Sequence, residues 1–380
     1  MGCSDFLTLE PQDELIREEY WKSEGDVVAV LGASYGSMAS LLDELYYWSE
    51  LRGGLISPDE KRVSPNSLEF FNYNLNEYNN RIRWDDFYVV INLANTIIKY
   101  APLAKENDQT FSDAAYNGYL AEAYFIRSLC YFYLVKSFRD VPFILEPYAT
   151  DGQDFSVEKS GEKEIIEQLI IDLNNIIDLA FPTDHFLTRE EQKGRVTRNA
   201  VYALLADIYL WNNDYENCIE KCDLITNVYL VDGTNYFSIF SGEGNSMESI
   251  IELQFDYNKY ETTNVLYELT SNNSRGNREF IVSELLAGFY ISKDLRQYSP
   301  EGDVTINSSN LSIWKYEGNA PYVINSIVVN RTKERSDANW IFYRLPDIHL
   351  MKAEAYAELD NFSQSLEQLN IVRPVSYTHL

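Results

Sequence analysis

Asn199–Thr226 reads NAVYALLADIYLWNNDYENCIEKCDLIT, and His349–Asn370 reads HLMKAEAYAELDNFSQSLEQLN. In the first, Ala206, Tyr209, Tyr215, Cys218 and Cys222 stand at tetratricopeptide-like positions. A small residue lets two helices approach, an aromatic fills the groove between them, and Asn213-Asp214 makes the turn. In the second, Ala353, Tyr356, Phe362, Ser365 and Leu369 take the same places around Asp360-Asn361. Ala206 and Ala353 lie 147 residues apart, whereas a tandem array repeats every ~34. The pattern therefore predicts a predominantly all-α, tetratricopeptide-like helical-repeat scaffold, with long loops and a few short strands in an insertion between the two copies.

Helical spacing extends outward from these copies. Residues 20–52 place Val27, Val30, Leu31, Tyr35, Met38, Leu42 and Leu45 on one face. Residues 53–80, with Gly53-Gly54, Pro58, Pro65 and many Asn and aromatics, read as a long loop. Helices are expected again over 82–101, stopped by Pro102, over 113–138, and from Glu162 to Leu179. The insertion, 229–340, holds the only strand-like text, SIIELQFDY, then Asn- and Tyr-rich loops and one helix near Ile281–Ser292. Long loops on a rigid frame are where binding residues usually sit.

Charge excludes a class of function. The 380 residues include 31 basic and 59 acidic side chains, a net charge of −28. Nucleic-acid binders need a basic footprint to displace counterions, and this chain has none. A neutral ligand is indifferent to this charge, a basic one is favoured, and acidity alone also confers solubility. At 45% hydrophobic residues a sizeable core is available, yet no run approaches the roughly 18–20 uninterrupted apolar residues of a spanning helix. Four cysteines are too few for a disulfide scaffold. Cys218 and Cys222, four apart, lack nearby histidines among His185, His349 and His379, so they read as small core residues, and no metal or cofactor is expected. Gly2-Cys3 has the look of a lipoprotein junction, followed by a short acidic stretch suited to a tether; alternatively Cys3 is an N-terminal thiol of no special role.

Enzyme motifs are few. Gly32-Ala-Ser34-Tyr-Gly36 matches the nucleophile elbow, but no strands precede it, and apolar residues continue at period 3.6 straight through it. No P-loop, complete dinucleotide fingerprint, zincin or EF-hand loop occurs. Carboxylates are plentiful without any one pair being nominated for glycosidase chemistry. The surplus is aromatic, with 29 Tyr, 19 Phe and 6 Trp. A sugar ring offers a face of C–H groups, which an aromatic plane covers, and a rim of hydroxyls, which Asn, Asp, Gln or Arg satisfy. The loop aromatics Trp48, Phe71, Tyr73 and Tyr78, with Tyr257, Tyr260, Tyr267 and Trp314 in the insertion, are the candidate ligand-binding residues.

Several blocks together resemble the SusD/RagB family. CSDFLTLEPQDE is similar to its post-lipidation start, and RWDDFYVVINLANTII to its helix carrying Trp84, Tyr88, Ile91, Ala94 and Asn95. AEAYFIRSLCYFYLVKSFRDVPFI resembles its most recognisable block, with Arg139 where Gly is usual. RVTRNAVYALLADIYL, Asp294–Arg296 and YRLPDIHLMKAEAYAE also fit, with Asp347 in place of Glu, and LNIVR resembles the close. The resemblance implies a non-enzymatic lipoprotein on the extracellular face of an outer membrane, lipidated at Cys3. It implies capture of oligosaccharide, or in some members peptide, for a SusC-like TonB-dependent transporter. The expected organisation is a tether over 1–19, an N-terminal helical part over 20–230 and a C-terminal part over 231–380. After Arg373 the text PVSYTHL departs from the family pattern, so terminal helices are expected to be missing, some repeat core exposed and expression poor. The alternatives are a peptide binder of the same build, a protein-only helical-repeat adaptor, and a helical glycosidase.

Overall fold

The computed structural model describes residues 20–148, 156–231, 244–259 and 336–376. Shorter pieces are described at 153, 238–241, 262, 265–270, 279–283, 306–307, 310–311, 313, 315–316, 321–324, 327–330 and 332. The fold is predominantly helical, as the repeat spacing predicts. Its residues fall into two interleaved units, one of 1–37 with 85–182, the other of 38–84 with 183–380.

In the first unit, helix α1 (Glu24–Met38) runs unbroken through the elbow-like motif. Ser34 is buried in mid-helix, and its hydroxyl donates to the Val30 carbonyl at 3.0 Å. The unit continues with α4 (Asp85–Asn107), α5 (Asp113–Phe138) and α6 (Glu162–Ile176), α5 packing against both of the others. Helix α4 passes through Pro102 instead of stopping before it. The ring forfeits one ladder hydrogen bond, but Ala101 and Ala104 on either side are fully buried, and tertiary packing outweighs the local preference. Phe181 sits directly on Gly118 of α5, where an added Cβ would come within 2.1 Å of the ring. A buried pair ties α5 to α6: Arg127 donates to Asp172 at 2.7 Å and to Asn95 of α4 at 3.0 Å.

In the second unit lie α2 (Leu42–Trp48), α3 (Pro65–Phe71), α7 (Arg189–Gly194) and the first repeat, α8 (Arg198–Trp211) with α9 (Tyr215–Asp223). After α10 (Val265–Thr270) comes the second repeat, α11 (Leu345–Glu358) with α12 (Phe362–Ser376). Each repeat turns at a residue of positive φ, Asn213 at 58° and Asp360 at 58°, a conformation these short polar side chains tolerate. Helix α9 packs on both α8 and α11, so the two copies are joined in space despite their separation in sequence. Ala206, Tyr209, Cys218, Cys222, Ala353 and Ser365 are buried, whereas Phe362 is 65% exposed and Leu369 39%.

The described strands form two-stranded antiparallel pairs. Strand β4 (Ser249–Leu253) pairs with β10 (Trp340–Arg344), and β1 (Ile56–Pro58) with β5 (Phe280–Val282), Ser57 opposite Ile281. Strand β6 (Ile306–Asn307) pairs with β7 (Asn310–Leu311), and β8 (Pro321–Ile324) with β9 (Ile327–Asn330). Three expectations change here. Strands also occur outside the insertion, at β1 and at β2 (Val141–Pro142) with β3 (Lys159–Ser160). Ile281 and Val282 are strand rather than the start of a helix, because their partner strand comes from residues 56–58; residues 284–292 lie outside the described residues. Finally, the expected loop over 53–80 contains α3, started by Ser64 as N-cap and Pro65 at the first helical position.

Two stretches, Glu24–Gly53 and Asn80–Asn107, are long and apolar enough to cross a bilayer by composition alone. Here their apolar faces enter the protein core, with Val27, Leu31, Leu42, Leu45, Phe87, Val90, Ile91 and Ala94 all buried.

Candidate ligand-binding site

Helix α2 supplies the floor of the site. Leu42, Leu45, Tyr46, Tyr47 and Trp48 are all buried, with α10 packed against the same helix. Tyr47 stands edge-on to Phe70 at 5.5 Å and to Phe280 at 5.6 Å, an arrangement that suits the positive edge of one ring to the negative face of another. Its hydroxyl lies 2.6 Å from the Ser67 Oγ and donates to Glu279 at 3.0 Å. Burial pushes this phenol above its ordinary value, so it remains a donor. Arg81 stacks over the Tyr47 ring at 4.3 Å, pairs with Asp43 and lies 3.9 Å from Glu279. Burial raises Asp43, and the adjacent Arg81 guanidinium opposes that shift.

This buried network fixes the end of an exposed loop. Trp48 donates its indole N–H to the Arg81 carbonyl at 3.0 Å. Asn79, only 2% exposed, accepts from the Arg81 N–H at 2.9 Å and donates to the Asn66 carbonyl at 2.9 Å and to Glu69 at 3.2 Å. Asn76 donates to the same Glu69 carboxylate at 3.3 Å and accepts from the Tyr78 N–H at 3.0 Å. At the other end, the Asn72 and Asn74 N–H groups close on α3 carbonyls, and Tyr73 takes a φ of 57°. The backbone of 72–79 is thus held from both sides while its tyrosines face solvent, Tyr73 at 68% exposed and Tyr78 at 84%. Arg52 lies 5.1 Å from the Phe70 ring and 5.9 Å from the Tyr73 ring.

The candidate aromatics therefore divide. Tyr73 and Tyr78 present their rings, and Phe71, half-buried, is the last residue of α3, just ahead of the loop. Trp48 and Tyr267 are 6% and 4% exposed; packing around α2 claims both rings, so they support the site from beneath and do not present a face. Tyr257, 41% exposed, lies on the separate turn after β4, where Lys259 pairs with Glu190 and Asp256. Tyr260, Trp314 and Cys3 lie outside the described residues. Sequence reading passed over Arg52, Asn79 and Arg81. Asn79-Asn80-Arg81 carries no motif, and only the return of the chain onto α2 and α3 gives these residues their partners.

Comparison with known proteins decides the family. A family described as "Starch-binding associating with outer membrane" matches residues 55–210, and one described as "SusD family" matches residues 233–374. The chain belongs to the SusD/RagB family. Within it, the chain is 22% identical over 426 residues to SusD-like protein P38 of Formosa agariphila, spanning 98% of this chain and 78% of that one. It is 25% identical over 236 residues to SusD-like protein P2 of the same organism, spanning 60% of this chain and 44% of the relative. A SusD superfamily protein from Bacteroides thetaiotaomicron superposes with a TM-score of 0.74 at 22% identity, covering 94% of this chain and 81% of its own. The surface glycan-binding protein A from Bacteroides uniformis superposes with a TM-score of 0.71 at 20% identity, over 93% and 81%. SusD-like proteins are a carbohydrate-binding, outer-membrane-associated family built on the helical frame described above.

Proposed function

We propose that this SusD/RagB protein captures oligosaccharide at the cell surface and passes it, unaltered, to a SusC-like TonB-dependent transporter, held to the outer membrane by lipid on Cys3. The observation that carries this reading is the pinned loop with Tyr73 and Tyr78 facing solvent. An aromatic ring on a backbone already fixed loses little freedom when a sugar ring stacks on it. Asn72 and Asn74, next to Tyr73 in the chain, offer amide donors and acceptors to hydroxyls. Two solvent-facing rings favour modest affinity and quick release, which suits a relay. The glycan-binding description of a structural neighbour and the starch-binding description of the matching family point the same way.

The test is calorimetric titration of the chain against plant, host and microbial oligosaccharides, with analysis of the sugars afterwards. Saturable binding with intact sugars, lost in Tyr73→Ala and Tyr78→Ala, is expected. Binding of peptides alone, or any cleavage product, would overturn the assignment.

A further inference from the structure

Away from the tyrosine loop, and within the second unit, a cavity of about 230 Å³ opens beside the N-terminus of α8. Seven of the nine residues that line it are of polar type, Val228 and Ile250 being the apolar ones, and none is aromatic. Two of its lining residues are buried yet have unspent hydrogen-bonding capacity. Thr197, 1% exposed, is the N-cap of α8, but its hydroxyl does not cap the helix and makes no hydrogen bond with any described residue. Lys193, 9% exposed, sends its ammonium to the Ser249 carbonyl, and among the described residues no carboxylate lies within ion-pair distance of it. Three N–H donors on a buried ammonium with one carbonyl acceptor leave room for further acceptors. Burial holds this ammonium below the ordinary lysine value, Arg189 adds to that shift, and Glu252 opposes it.

The helix adds to this. The first-turn N–H groups of a helix have no intrahelical acceptor, and the aligned peptide dipoles place partial positive charge there. In α8, 14 residues long, the Thr197 side chain leaves that end uncapped. Asn199 is committed elsewhere, donating to the Thr226 carbonyl at 2.6 Å and accepting from its N–H at 3.3 Å, so it shapes the wall. Asp184 lines the exposed mouth and is the one lining carboxylate.

We propose that this cavity binds a small oxyanion, the carboxylate, phosphate or sulfate group of a solute, between the Lys193 ammonium, the Thr197 hydroxyl and the N-terminus of α8. The oxyanion supplies the acceptors that the buried ammonium and the helix end lack. Asp184 at the mouth limits affinity by like-charge repulsion.

The experiment measures the thermal midpoint of the chain against rising inorganic phosphate, sulfate or D-galacturonate, each compared with sodium chloride at matched ionic strength. Ligand binding to the folded state raises the midpoint by mass action. At least one oxyanion is expected to do so, and which one does identifies the group. Lys193→Met is expected to weaken the apparent Kd by about tenfold or more, and Thr197→Val by several-fold. Asp184→Asn is expected to tighten it by a few-fold. If Lys193→Met fails to fold, the Thr197 and Asp184 variants decide. Midpoints that follow ionic strength alone, or an oxyanion effect unchanged in Thr197→Val and Asp184→Asn, would overturn the proposal.

Discussion

Tyr73 and Tyr78 contribute little to stability, because most of each side chain is already in water. Replacing either by alanine is therefore expected to change unfolding free energy by no more than ~0.5 kcal/mol in urea titrations. The same changes are expected to weaken oligosaccharide binding by about tenfold each. A large loss of stability would show that the rings pack rather than present. Asp347 allows a prediction with the opposite emphasis. It accepts from the Arg344 N–H at 3.0 Å at the start of α11, and burial holds its carboxyl above the usual range, with Arg344 pulling the other way. With the folded value above the unfolded one, the native state binds more protons in the acid range, so this group's contribution to stability falls as pH rises through that window. Wild-type protein is expected to gain stability relative to Asp347→Asn as pH is lowered from about 7 towards about 4, by parallel urea titrations.

At the level of elements, the 72–79 loop depends on Asn79 more than on any apolar contact of its own. Asn79→Ala removes acceptance from the Arg81 N–H and donation to Asn66 and Glu69 at once. About 1–3 kcal/mol of destabilisation is expected, together with faster amide exchange over the loop and weaker sugar binding. Binding that survives with an unprotected loop would separate ligand recognition from loop rigidity. The second repeat offers a contrast. Phe362 and Leu366 of α12 are 65% and 53% exposed, so exchanging both for Gln is expected to leave stability within about 1 kcal/mol and to raise solubility, read by light scattering. The buried Ala353 of the facing helix should tolerate no larger side chain without a clear loss.

At the scale of the molecule, the charge of −28 and the buried pairs have separate consequences. Arg127 and Asp172 bridge α5 and α6 with both side chains almost fully withdrawn from water. Asp172→Ala leaves the guanidinium buried without its counter-charge, and a loss of about 3–5 kcal/mol is expected in denaturant titrations. The net charge bears on ligand choice instead. A neutral oligosaccharide stacked on the tyrosine loop should bind with an affinity that barely changes between low and high salt, since no ion pairs are screened.

Much of the architecture was legible in local text. Repeat spacing around Ala206 and Ala353, turn residues at Asn213-Asp214 and Asp360-Asn361, and the period of α4, α5 and α6 determined the helical class, because these are interactions within a few turns of one segment. The loop aromatics could be named, but not sorted. Trp48 and Tyr267 read like Tyr73 and Tyr78, and only packing around α2 buries the first pair and leaves the second in water. Helix α3 was hidden behind Pro65, and α4 overran Pro102, since capping and core burial there outweigh the punctuation that proline supplies. The sequence by itself thus determined the class of fold and the family, both encoded in short-range periodicity and blocks of text. Tertiary structure decided which rings face solvent, what pins their loop, and that Lys193 and Thr197 meet at one cavity, because burial and hydrogen-bond partners come from residues distant in the chain.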